Sequence, residues 1–261
     1  MTIIESQQNP KLKALKRLAT RRERARSGRF LAEGEDLVLA ARQAGRPAVE
    51  GFRLAGSDLG EPGFHELEPD LLRASSTLGS GSRVIGVYEQ RWGEPLGPLC
   101  VYLHRIGDPG NVGTILRSAQ AFGASSVALG PGCADPHSPK AVRASMGAIF
   151  SVALARVSEI DELPGERIAL AADASEALCA GDGPALAAPA DDDRSSGAIT
   201  LLVGAERDGL PEQMIAACER SARIPIASES LNAAMAATVA LYEVTRQDTR
   251  ASASSSRVRA S

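Results

Sequence analysis

Asn111, Thr114 and Arg117 recur every third residue within GDPGNVGTILRSAQAFG (107–123). On a helix this spacing gathers them roughly on one side, opposite Val112, Ile115 and Ala119. An arginine so placed stays charged at any physiological pH and can steady a developing anion. Spacing alone does not separate that role from a surface arginine beside an N-capping asparagine. The glycines of this stretch fall as GxxGxxG rather than the GxGxxG of dinucleotide sites, and no acid ends a second strand at the distance such sites need. A second set lies in VGAERDGLP (203–211). There an apolar run ends at Gly204, Glu206 follows, and the glycines let backbone come close to a ligand. Glu206 equally suits a plain tight turn before a helix N-terminus. A third set, IPIASESLNAAMAA (224–237), places Ser230 as the cap of a helix whose first turn holds Leu231 and Asn232.

Each set follows an apolar run of strand length, so the elements that position them are readable. LCVYLHRI (99–106), SSVALG (125–130), residues 148–157, 167–172, AITLLVG (198–204) and ARIPIA (222–227) read as strands. Between them, helices are expected over 111–122, 139–146, 211–219 and 231–247, the second opened by Ser138-Pro139. Strands alternating with helices imply a parallel sheet covered on both faces, with ligands beyond the carboxyl ends of its strands. Upstream, residues 9–25 read as one basic helix with Leu12, Leu15 and Leu18 on one side. Short strands near 30–32, 51–55 and 83–89 and helices over 34–44 and 71–74 complete a small α/β unit. Residues 56–69 read as loop. The domains are expected at 1–92 and 99–248, joined by a Pro/Gly linker at 93–98 and followed by a disordered tail, 249–261. Residues 179–197 read as a loose insertion.

Composition narrows the function classes. Of the 261 residues 44% are apolar and only 3% aromatic, so the core must be built from Ala, Leu, Val and Ile. Four scattered cysteines and three distant histidines form no CxxC or HExxH pattern, so no metal is expected. No apolar run approaches the roughly 18 residues of a membrane span, and the charged N-terminus does not read as a secretory signal; a cytoplasmic location is expected. The formal charge of −3 hides a polarity, because residues 9–30 carry a net +8. Phosphate attraction follows that local field, and Lys11, Lys13, Arg17 and Arg21 are the candidate contacts to a nucleic-acid backbone.

Taken together, NxGxxxRxAxxFGA from Asn111, GxExxGL from Gly204, and Ile224-Pro225 with Ser230-Leu231-Asn232 resemble the SpoU (TrmH) branch of the SPOUT methyltransferases. The resemblance covers about residues 99–247, and residues 9–38 are similar to the substrate-binding domain that often precedes it. It implies a parallel-sheet SPOUT domain with a deep trefoil knot, preceded by a small α/β RNA-binding domain. It also implies a homodimer, S-adenosylmethionine as methyl donor, and methylation of a ribose 2′-hydroxyl. The globular N-terminal part favours 23S ribosomal RNA as substrate over tRNA. An antibiotic-resistance enzyme is a narrower variant, and a catalytically silent ribosome-assembly protein is the alternative outside the class. Carried over by position, Gly204, Ile224, Ser230, Leu231 and Ala172 would hold the cofactor. Arg117 would serve the attacking hydroxyl, with Asn111, Glu206 and Asn232 as the remaining polar motif residues. Ala233-Ala234 stand where many members have Val-Ser after the SLN triplet.

Overall fold

The computed structural model describes residues 3–77, 81–179, 197–205, 207–227 and 230–246. In chain order the first part holds β1 (Ile3–Ile4), α1 (Pro10–Arg17), α2 (Arg21–Ser27), β2 (Arg29–Glu33), α3 (Glu35–Gln43), β3 (Glu50–Leu54), β4 (His65–Leu67), α4 (Pro69–Ser75) and β5 (Val84–Glu89). The second part continues with β6 (Leu99–Leu103), α5 (Pro109–Ala121), β7 (Ser126–Leu129), α6 (Pro139–Ser145), β8 (Ala153–Arg156), β9 (Glu166–Leu170), β10 (Ile199–Val203), α7 (Glu212–Ala216), β11 (Arg220–Ala222) and α8 (Ala233–Thr245). Two compact units result. The first joins Met1–Trp92 with Gly107–Arg117 and Ala134–Val152; the second takes Gly93–Ile106, Ser118–Cys133 and Ala153–Ser261.

The first unit is built on a five-stranded mixed sheet in the order β1-β4-β3-β5-β2. Leu12, Leu15 and Leu18 are buried and pack with Ile4, Leu31, Phe52, Leu67 and Ile85, so the apolar stripe expected in the basic region docks on this sheet. The single helix expected over 9–25 is instead two. α1 ends at Arg17, and Thr20 caps α2 by accepting a hydrogen bond from the Glu23 amide at 3.3 Å. A threonine whose side chain satisfies a free helix-end amide is worth more at that cap than inside a helix. β4 lies within the stretch expected to be loop; three residues between Gly63 and Pro69 are too few to show a periodicity.

The second unit is a six-stranded sheet in the order β11-β9-β10-β6-β7-β8, and every pairing is parallel. All five residues of β6 and of β10 are buried, as strands covered on both faces must be. Small residues fill this core: Ala128, Ala155 and Ala169 sit with Cys100, Tyr102 and Leu202. Two strand boundaries differ from expectation. The strand placed at 148–157 begins only at Ala153, because Met146 and Gly147 adopt positive φ and Ala148–Phe150 form a 3-10 turn. The strand placed at 222–227 is instead β11 at Arg220–Ala222, since Pro225 has no amide to give a ladder. Apart from Cys179 and Gly197, the insertion 179–197 lies outside the described residues, and the tail 249–261 lies wholly outside them.

At the amino end of β9, Arg167 clamps the sheet. Its guanidinium donates to Glu219 at 2.6 and 3.1 Å and to Asp161 at 2.6 Å, and its amide also donates to Glu219, at 2.7 Å. The hydrogen bond from Arg167 holds the Glu219 carboxyl at about 2, well below its ordinary value of 4.5. A depressed carboxylate pKa contributes stability that is full above the unfolded value and is lost as pH falls through the folded one. Acid unfolding between about pH 4.5 and 2 should therefore draw on this clamp, modestly because Glu219 is half exposed. Glu219→Gln should flatten that limb of a melting-temperature series against pH; an unaltered limb would remove the clamp from the acid stability.

Candidate functional site

Three segments leave the carboxyl edge of the second unit's sheet side by side, after β9, β10 and β11. They enclose a cavity of about 750 Å³. Ala172, Gly204, Ile224, Ser230 and Leu231 all line it, so the five expected cofactor-binding residues converge on one place. The volume falls in the range of roughly 300–1,000 Å³ that takes a small organic ligand. Apart from Arg223, the described residues that line it are uncharged: aliphatic side chains, small residues and backbone.

Gly204 makes the cradle possible. A Cβ built there would stand 2.2 Å from the Gly209 carbonyl carbon and 2.5 Å from the Leu210 amide nitrogen. Only glycine lets the 204–210 turn fold back on itself, closed by the Gly209 amide on the Ala205 carbonyl at 2.9 Å. Arg223, which the motif did not mark, pins the opposite wall. Its Nη1 donates to the carbonyls of Ala174, at 2.8 Å, and Ser175, so the turn after β9 is held from β11. An arginine inside ARIPIA carries no sequence signal for that task.

Asn232 is the true N-cap of α8, not Ser230. Its Oδ1 accepts from the Ala234 amide at 2.9 Å and the Met235 amide at 3.3 Å. The asparagine that looked out of place in a first helical turn is therefore at the one position where helices favour it. Glu206 lies outside the described residues.

The other polar residues are on α5. Val112, Gly113, Ile115, Leu116, Ser118 and Ala119 are buried, whereas Asn111 and Thr114 are half-buried and Arg117 is exposed. The helix is thus encased except along the line that carries the motif. Arg117 makes no hydrogen bond or ion pair with a described residue. Asn111 does not cap the helix; Asp108 does, accepting from the Gly110 amide at 2.6 Å and the Asn111 amide at 3.1 Å. Asp108-Pro109, a capping acid followed by proline at the first helical position, was the sequence signal for this start. Lys140 of α6 donates to the same carboxylate at 2.7 Å, and that hydrogen bond, with the two amides, holds Asp108 below the ordinary carboxylate range. His104, at the end of β6, is buried, and its ring nitrogens have no hydrogen-bond partner among the described residues. Burial and then Arg105 push its pKa down, so the ring is neutral near pH 7.

On α1 and α2, Lys13, Lys16, Arg17, Arg21 and Arg22 are exposed and make no ion pair with a described residue. Lys11 is exposed but paired with Glu50, and Arg26 with Glu23. Arg24, counted in the basic stretch, is buried and faces inward. Among the described residues no cluster of His, Cys, Asp or Glu could hold a metal, and no helix is long and apolar enough to cross a membrane.

Comparison with known proteins agrees with this layout. The SpoU rRNA Methylase family matches residues 98–242, and the MRM3-like substrate binding domain matches residues 9–59. The chain is similar to the 23S rRNA (guanosine(2553)-2'-O)-methyltransferase RlmP of Bacillus subtilis, at 29% identity over 94% of this chain and 99% of that protein. It is 36% identical to a 23S rRNA (uridine(2479)-2'-O)-methyltransferase of Streptomyces viridochromogenes over 57% of this chain and 53% of that protein. An AdoMet-bound rRNA methyltransferase from Sinorhizobium meliloti superposes with a TM-score of 0.77 at 28% identity, covering 93% of this chain and 96% of that one.

The cap and any further role of Asn232 can be separated. Asn232→Ala should cost about 1 kcal/mol of unfolding free energy, whereas Asn232→Asp should keep most of it. Denaturant unfolding of both variants checks this; equal losses would mean the cap is not what the asparagine supplies to the fold.

Proposed function

The chain belongs to the SpoU rRNA methylase family, and from that premise we propose that it methylates a ribose 2′-hydroxyl of 23S ribosomal RNA, with S-adenosylmethionine as donor. The observation that carries this is the convergence of Ala172, Gly204, Ile224, Ser230 and Leu231 on one largely apolar cavity at the sheet's carboxyl edge. The cofactor fits what is present. Apolar walls suit its adenine, main-chain groups suit its hydrogen-bonding edges, and Gly204 lets the chain fold back on Gly209 and Leu210 to form one wall, where a Cβ would collide with their backbone. When bound it supplies an electrophilic methyl group on a sulfonium.

The residues of the chain do the rest. Arg117 cannot take the hydroxyl proton, since a guanidinium stays charged at any working pH. It stabilises the oxygen as negative charge develops and holds the adjoining phosphate. That oxygen would receive the methyl group, and the hydroxyl proton would pass to a phosphate oxygen or to water rather than to Arg117. Asn111 orients the ribose beside it, and Asn232 fixes the start of α8 behind the cofactor. In-line positioning and charge stabilisation, rather than acid–base strength, supply the rate.

In this reading the carboxyl-terminal domain, residues 99–248, threads a deep trefoil knot, and the amino-terminal domain, residues 1–92, holds the RNA. The exposed cations of α1 and α2 support the second assignment. The enzyme works in the cytoplasm as a homodimer. Met235, Val239 and Tyr242 support the dimer, because they are exposed apolar residues on successive turns of α8, and a second copy would cover them.

Single-turnover methyl transfer to ribosomal RNA tests the mechanism. Arg117→Ala should fold normally, since the side chain is exposed, and lose about two orders of magnitude in transfer with unchanged S-adenosylmethionine affinity. Gly204→Val should force the Gly209–Leu210 backbone out of place and so lose cofactor binding, as calorimetry would record. Near-normal transfer by Arg117→Ala would return that residue to the role of a surface arginine.

The RNA platform has its own test. Reversing Lys13, Arg17 and Arg21 to Glu should weaken RNA binding and flatten its salt dependence, with cofactor affinity untouched. Wild-type affinity and slope in that variant would place the RNA elsewhere.

A further inference from the structure

Within the first unit, Arg24 is 3% exposed although it lies in the basic stretch. Its guanidinium is fully engaged. Nη1 donates to the carbonyls of Leu18 at 2.9 Å and Ala19 at 2.8 Å, the corner where α1 turns into α2. Nε and Nη2 both reach Asp135 Oδ2, at 2.8 Å. Asp135 belongs to the segment that delivers α6. Its Oδ1 accepts the His137 amide at 2.9 Å, and its carbonyl accepts the amide of Ser138, the N-cap of α6, at 3.1 Å. The His137 ring is held against Phe30, with centroids 4.7 Å apart, and against Trp92 at 5.2 Å.

α6 in turn fixes α5 at two points. Lys140 pairs with Asp108, the cap of α5. Gly113 of α5 lies so close to α6 that a Cβ there would stand 2.3 Å from the Ala141 carbonyl oxygen and 2.7 Å from the Ala144 Cβ. One continuous set of contacts therefore runs from the corner of the basic helices, through Arg24 and Asp135, to the helix that carries Asn111 and Arg117.

A buried ion pair is a poor device for stability, because desolvating both charges offsets most of their attraction; an apolar pair of similar volume would serve as well. What it does provide is a defined geometry. We propose that Arg24 and Asp135 are positioning residues for methyl transfer: they set α6, and through it Arg117, from the helices that bind RNA. This rests on the roles of Arg117 and the basic helices given above.

The test is the double variant Arg24→Met with Asp135→Asn, which leaves no unpaired buried charge and keeps the acceptor for the His137 amide. We expect it to fold, to melt somewhat below wild type because the Leu18 and Ala19 carbonyls lose their donor, and to bind S-adenosylmethionine and RNA normally. Amide exchange should quicken by about tenfold or more across residues 134–146 and 109–117, but not in β10 or α8. Single-turnover transfer at saturating RNA should fall by up to about a hundredfold, the scale of a displaced catalytic group. If exchange in those two segments is unchanged, or if transfer is normal once both charges are gone, the pair serves only the fold and the proposal is wrong. Should the double variant not fold, Arg24→Lys keeps the charge but loses the fork, and the same exchange comparison decides. Wild-type protein without transfer would overturn the functional reading instead, while exchange would still judge the pair.

Discussion

A five-residue parallel register, Leu99–Leu103 against Ile199–Val203, is the constraint on which the rest of the second unit depends. Its two strands lie about a hundred residues apart in the chain, so the pairing closes a long loop before it gains any contact. Ten buried residues make the closure worthwhile, and the parallel sense does the useful work. It brings the carboxyl ends of both strands to one edge, Leu103 level with Val203, so the turns after them must emerge together. β9 and β11 extend that edge and bring the cavity's remaining walls. A register slip of one residue would turn Gly204 out of its cradle and bury the wrong faces.

The helix after β6 answers two opposed demands. It must be packed tightly enough to hold a side chain in place, and it must keep that side chain in water until substrate comes. Glycine at 113 and small residues at 118, 119, 141 and 144 meet the first, because backbone can approach backbone where side chains are small. A line of exposure advancing three residues at a time meets the second. The low aromatic content is the same strategy on a larger scale, since a core of Ala and Val permits close approach of strands and helices.

Most of this architecture was legible in the sequence because its signals are periodic or chemically specific. Continuous apolar runs marked β6 and β10, Ser138-Pro139 marked α6, and the residues marked after β9, β10 and β11 met at one cavity, as parallel topology requires. What was not legible depends on distance. Thr20 reads as one more polar residue until its hydroxyl is seen to close a helix end, and Arg24 reads as one more cation until Asp135 is found beside it. Pro225 should have shortened the last strand, and Asp108-Pro109 should have moved the start of α5 back by two residues. Asn232 looked like motif chemistry, and its cap geometry emerged only when the helix began two residues later.

Trp92 is the chain's single tryptophan, and its indole meets the His137 ring edge-on while its Nε1 reaches Gln90 at 3.3 Å. Optically, then, the protein is labelled at one point. Tryptophan emission from this molecule carries no average over a core; it comes from one indole after β5, set against His137 of the segment that leads into α6. Stopped-flow fluorescence on unmodified protein would follow that one contact as RNA arrives, with no dye attached and no residue replaced.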